Sequence, residues 1–76
     1  MRNIQQETVD LLLSNKGFRK TGESEHAVSL TYKDKVTYHI GKEGWSAYVA
    51  EDGEWYYGSN HQYVKLFELI YPFLNR

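Results

Sequence analysis

The 76-residue sequence contains no cysteine, one proline and one methionine. Without thiols, neither a disulfide nor a thiolate metal centre can reinforce a small fold. No apolar run approaches the ~20 residues that a membrane-spanning helix needs. The opening Met1-Arg2-Asn3-Ile4-Gln5-Gln6 is too polar for a signal peptide. A Gly-x-Ser-x-Gly elbow and a phosphate-cradling glycine loop are both lacking. His26, His39 and His61 are scattered, with no local metal-ligand pair beyond Glu23, Glu25 and His26, which read as solvated residues. The chain is therefore read without a catalytic residue, metal site or cofactor, and the cytoplasm is its expected location.

What is present suits a single globular domain over residues 1–76. Charged residues make up 25% and apolar residues 41%, both ordinary fractions. The aromatic share of 16% is the resource for stability, since large rings bury much area per residue.

The net charge of −1 conceals an asymmetry. Residues 1–22 carry four cations (Arg2, Lys16, Arg19, Lys20) against Glu7 and Asp10. Residues 23–58 carry Lys33, Lys35 and Lys42 against seven acids (Glu23, Glu25, Asp34, Glu43, Glu51, Asp52, Glu54). An acidic middle repels phosphate backbones over most of the surface, which disfavours nucleic acid as a partner.

Periodicity orders the elements. Asn3 and Gln6 stand in capping-box relation ahead of Ile4, Thr8, Leu11 and Leu12, an apolar face widened by Val9 and Leu13. This predicts a helix over 3–16, ended by Gly17, with Phe18 folding back on Leu13. From there the period becomes two. Val28, Leu30 and Tyr32 alternate with polar or small residues, as do Val36, Tyr38 and Ile40. A tight turn at Lys33-Asp34-Lys35 joins these two strands. Gly41-Lys42-Glu43-Gly44 leads to a third, Trp45 to Glu51, and Phe18 to Gly22 offers an edge strand. A final helix starts at the Ser59-Asn60-His61-Gln62 box, shows Tyr63, Val64, Leu66, Phe67, Ile70, Tyr71 and Leu74 on a broad apolar face, and ends or kinks at Pro72. The expected fold is α+β, a meander of three to five antiparallel strands with both helices packed on one face.

Keeping apolar residues on one side sets the register. Ile40 then pairs with Trp45, Tyr38 with Ala47 and Val36 with Val49. A two-residue turn centred on Asp52-Gly53 would pair Val49 with Tyr56 and Tyr48 with Tyr57. Tyr48, Trp55 and Tyr57 would then stand on the bare face beside Thr31, Thr37 and His39. A three-residue loop with a bulge would instead turn Trp55 and Tyr57 inward and expose only Tyr56.

Exposed Trp and Tyr are typical of binding hot spots. Together with the lack of catalytic constellations, they point to a non-enzymatic protein-binding module. Tyr48, Trp55, Tyr57, Thr37 and His39 would form its contact face, and Glu51, Asp52 and Glu54 an acidic rim. Such a rim can imitate spaced phosphates, as an inhibitor or regulator of a nucleic-acid-binding protein would, in the manner of small bacteriophage and mobile-element proteins. A bare aromatic face also favours a weak homodimer, opposed by like charges at the acidic turn.

The run Leu11 to Lys20, with the Gly17-Phe18 turn and His26 shortly after, resembles the start of HicA-type toxins. Those are small α-β-β-β-α ribonucleases with a double-stranded-RNA-binding-like fold. The resemblance covers about a third of the chain and implies RNA binding or cleavage, with His26 as the catalytic histidine and Lys16, Arg19 and Lys20 on phosphates. Glu25 stands here where that family has serine.

Overall fold

The computed structural model describes residues 4–74. In chain order these form α1 (Ile4–Leu13), β1 (Phe18–Glu23), β2 (Ala27–Tyr32), β3 (Val36–Gly41), β4 (Gly44–Val49) and β5 (Glu54–Ser59). A 3₁₀ turn (Asn60–Gln62), α2 (Tyr63–Glu68) and a second 3₁₀ turn (Tyr71–Phe73) follow. The strands make one antiparallel five-stranded sheet in sequence order. This is the expected α+β fold, and the edge strand after Phe18 is formed. No helix among the described residues is long and apolar enough to cross a membrane.

The core follows from the two-residue period. Val28, Leu30, Tyr32, Val36, Tyr38, Ile40, Trp45, Ala47 and Val49 all point to one side of the sheet and are buried. Val9 and Leu12 of α1, then Leu66, Ile70 and Phe73 of the C-terminal segment, join the same cluster, so both helices cover that side. Burying a side chain such as Leu12 or Leu30 completely contributes about 1.5–3 kcal/mol. Phe18 packs its ring on Tyr32, Tyr38 and Phe67, with centroids 4.9, 5.7 and 6.4 Å away.

Helix α1 stops at Leu13, three residues short of the predicted end at residue 16. Local competition explains this: Ser14 Oγ and Asn15 Nδ2 both donate to the Leu11 carbonyl, at 2.7 and 2.9 Å. Gly17 does take the left-handed conformation, with φ of 101°. Phe18 enters the core while Leu13 stays exposed, so the expected Phe18–Leu13 closure gives way to ring packing. The buried stripe is Thr8, Val9 and Leu12, and Leu11, placed on the inner face by the sequence, is exposed. Gln5 Nε2 donates to the Ile40 carbonyl at 2.9 Å and ties α1 to β3. The expected cap Asn3 and the side chain of Ile4 lie outside the described residues.

Of the two tight turns the sequence suggests, the first forms and the second does not. Lys33 and Asp34 carry φ of 50° and 61°, and the Lys35 N–H donates to the Tyr32 carbonyl at 2.8 Å. Positive φ at both central residues is the mark of a type I′ turn, here without glycine. At Asp52-Gly53, where that turn was expected, Ala50 to Gly53 form a four-residue loop instead, since Val49 pairs with Glu54. Gly53, at φ 68°, closes it by donating its N–H to the Val49 carbonyl at 2.8 Å. The β3–β4 register is the expected one, Ile40 with Trp45 and Val36 with Val49. The β4–β5 register slips by two, so that Ala47 rather than Val49 pairs with Tyr56. Because faces alternate with period two, this slip leaves every side chain on its expected side. β1 carries a bulge against β2 between Lys20 and Gly22.

The C-terminal segment is three short pieces rather than one helix. Ser59 N–H donates to Gln62 Oε1 at 2.9 Å, the capping contact expected of this box. Asn60 then pins the segment across the β3–β4 turn: Nδ2 donates to the Gly41 and Lys42 carbonyls at 2.9 and 3.2 Å. Buried Leu66, Ile70 and Phe73 form a single stripe, whereas Tyr63, Val64, Tyr71 and Leu74 of the expected broad face are exposed. Tyr38 O–H donates to the Leu66 carbonyl at 2.6 Å. Burial first, and Tyr32 second, hold the Tyr38 phenol well above its usual pKa.

Candidate recognition face

The side of the sheet away from the helices is built from cross-strand rows. One row runs Arg19, Thr31, Thr37, Tyr48 and Trp55, and the next runs Gly22, Ser29, His39, Ser46 and Tyr57. The slipped register thus still sets Tyr48, Trp55 and Tyr57 together, with Trp55 directly opposite Tyr48.

Trp55 is the centre of the group. Its ring lies 5.1 Å from Tyr48, 6.2 Å from His39 and 6.5 Å from Tyr57, the last two stacked. His39 Nδ1 shares a hydrogen bond of 3.0 Å with Ser29 Oγ, which fixes the imidazole plane under the indole. Trp55 remains 48% exposed and Tyr57 71%, while Tyr48, His39 and Thr37 are half-buried. Neighbours on a rigid sheet hold these rings, so little conformational freedom is left to lose on contact. Thr31 forms part of the floor, buried, its hydroxyl donating to the Val36 carbonyl at 3.2 Å.

The acids expected as the rim lie elsewhere. Glu51 and Asp52 line a shallow cavity of about 230 Å³ on the helix side, with Tyr56, Glu68, Leu69 and Phe73 among its walls. Glu54 pairs with the core residue Val49, so its side chain also belongs to the helix side. The structure brings the rings together with Thr37 and His39 and sets the acids apart from them. Sequence reasoning missed this cavity, because it forms only where the C-terminal segment docks beside β5. Tyr56 faces it and is 38% exposed, since β5 is an edge strand that the segment covers incompletely.

His26 sits exposed in the β1–β2 turn, where its N–H and that of Ala27 donate to Ser24 Oγ at 3.3 and 3.2 Å. Arg19 pairs with Asp34 and Lys20 with Glu23, at 2.9 and 2.8 Å. Among the described residues, no three His, Asp or Glu side chains gather in metal-ligand fashion. Comparison with protein-family models, curated proteins and solved structures finds no match for this chain.

Proposed function

We propose that this chain is a non-enzymatic protein-recognition module whose contact surface is the bare sheet face around Trp55. The observation that carries the reading is the ring group itself. A half-exposed indole is stacked with His39 and Tyr57 and flanked by Tyr48, on a face that neither helix covers. Trp and Tyr anchors of this kind supply most of the energy in protein interfaces. The surrounding Ser29, Ser46, Thr37 and Ser59 give a polar surround with small side chains.

Trp55→Ala tests the reading in two measurements. Folding stability falls by about 1–2 kcal/mol, from the ring contacts of a half-exposed indole. Binding to a protein partner, isolated with the wild-type chain in the presence of nuclease, weakens by about 2 kcal/mol or more. Loss of several kcal/mol of stability would put Trp55 in the core and end the proposal. A partner that disappears with nuclease treatment would favour RNA instead.

A further inference from the structure

We infer that the partner this face fits is a second copy of the chain, packed face to face about a two-fold axis running close to β3. The inference rests on the reading of the face as a protein-binding surface. It adds the identity of the occupant and the geometry.

The relief of the face supplies the argument. Its β4–β5 half is tall, carrying Tyr48, Trp55 and Tyr57, and its β1–β2 half is low, carrying Gly22, Ala27, Ser29 and Thr31, with Arg19 its one long side chain. A two-fold axis along the central strand β3 lays β5 of one copy over β1 of the other, and β4 over β2. Each tall half then fills the partner's low half. Row by row, Tyr57 meets Gly22, Tyr48 meets Thr31, and Trp55 meets Arg19, a cation over an aromatic face. An axis across the strands would set tall on tall and leave a gap over β1 and β2.

Charge agrees with this pairing. Arg19 is the one charged residue in the two rows, in a chain that is 25% charged, and charge depletion marks the centre of an interface. Glu51, Asp52 and Glu54 belong to the helix side, so the like-charge opposition anticipated from the sequence is absent from the contact. The area available is small. Five strands of six residues, at about 4.8 Å between strands and 3.3 Å per residue, present about 500 Å² per copy. The total of about 1,000 Å² sits at the lower bound for a specific interface, so the dimer is weak.

The test moves a ring across the interface. Gly22 has room for a side chain, since a Cβ there meets only Ser29 Cβ at 3.9 Å. Gly22→Tyr should collide with the partner's Tyr57 and weaken association tenfold or more in equilibrium sedimentation. Tyr57→Ser should weaken it as well, by removing the ring. Mixed in equal amounts, the two variants should associate as the wild type does, because the bump on one meets the hole on the other. Circular dichroism confirms that each variant is folded. If Gly22→Tyr fails to fold, Arg19→Glu replaces it, and should weaken association by taking the cation away from the partner's Trp55. A bump that strengthens association overturns the axis, and so does a mixture that fails to recover. A wild-type chain that is monomeric at several hundred micromolar overturns the second copy. In that case a stable Trp55→Ala chain would leave the face to a different protein, whereas an unfolded one would remove the recognition reading itself.

Discussion

Tyr38→Phe removes one hydroxyl from the point where β3 meets α2. The hydroxyl donates to the Leu66 carbonyl at 2.6 Å inside the core, and the residue is fully buried. Losing the bond and leaving a buried carbonyl without its donor costs about 1–3 kcal/mol near neutral pH. A second signal comes from the proton. In the unfolded chain a tyrosine titrates near pH 10. In the fold, burial holds the Tyr38 proton to higher pH. A raised pKa stabilises the fold fully below about pH 10, and that advantage drains away above it by about 1.4 kcal/mol per pH unit, because only the unfolded chain releases the proton. The wild type should therefore lead the variant by a constant margin from pH 7 to 10. The margin should shrink above pH 10 and vanish about one to two units higher, given the slope just stated. Urea unfolding of both proteins from pH 7 to 11.5, with equal m-values, measures it. A margin that stays constant through pH 11 would refute the protected proton. A margin below about 0.5 kcal/mol at pH 7 would refute the buried bond.

Two further outcomes follow from the backbone. Gly58→Ala should lose about 1–3 kcal/mol through overpacking, because its Cβ would stand 2.5 Å from Cζ2 of the buried Trp45 ring; thermal unfolding reads the loss, and an unchanged midpoint would mean that the indole moves freely. Lys33→Asn with Asp34→Gly should gain about 1 kcal/mol by relieving two left-handed residues, net of the exposed Arg19–Asp34 pair; a loss of stability in urea would show that the two wild-type side chains matter more than their backbone.

The meander was legible because alternating residues can bury themselves in only one way. Val36, Tyr38 and Ile40 against Trp45, Ala47 and Val49 leave a single register with one apolar side. The β4–β5 register was not legible, since Gly53 suits either the second position of a tight turn or the closing position of a longer loop. The ring face survived the error because the slip was even. The helices were read less well. Whether Leu11 or Val9 enters the core depends on how α1 is rotated over β3, which Gln5 and Ile40 fix through a contact far apart in sequence. The buried stripe of the C-terminal segment was not legible for a related reason: apolar residues all round a segment do not say which stripe the sheet will take. The location of the acids was hidden likewise, because the path of the 50–53 loop depends on the segment that packs beside it.

The bulge in β1 bears on how copies of this chain can and cannot join. An edge strand is a template on which a further strand can grow, and a flat run of unpaired amides invites indefinite stacking into fibres. At β1 the irregularity between Lys20 and Gly22 breaks the even spacing of those amides and increases the local twist. An incoming strand would lose its pairing after two or three residues, and it would meet the charges of Lys20 and Glu23, exposed on the helix side of β1. Growth along the hydrogen-bonding direction is thus arrested at this border. The two-fold contact proposed for the broad side would instead close on itself after two molecules, so association there adds no further copies.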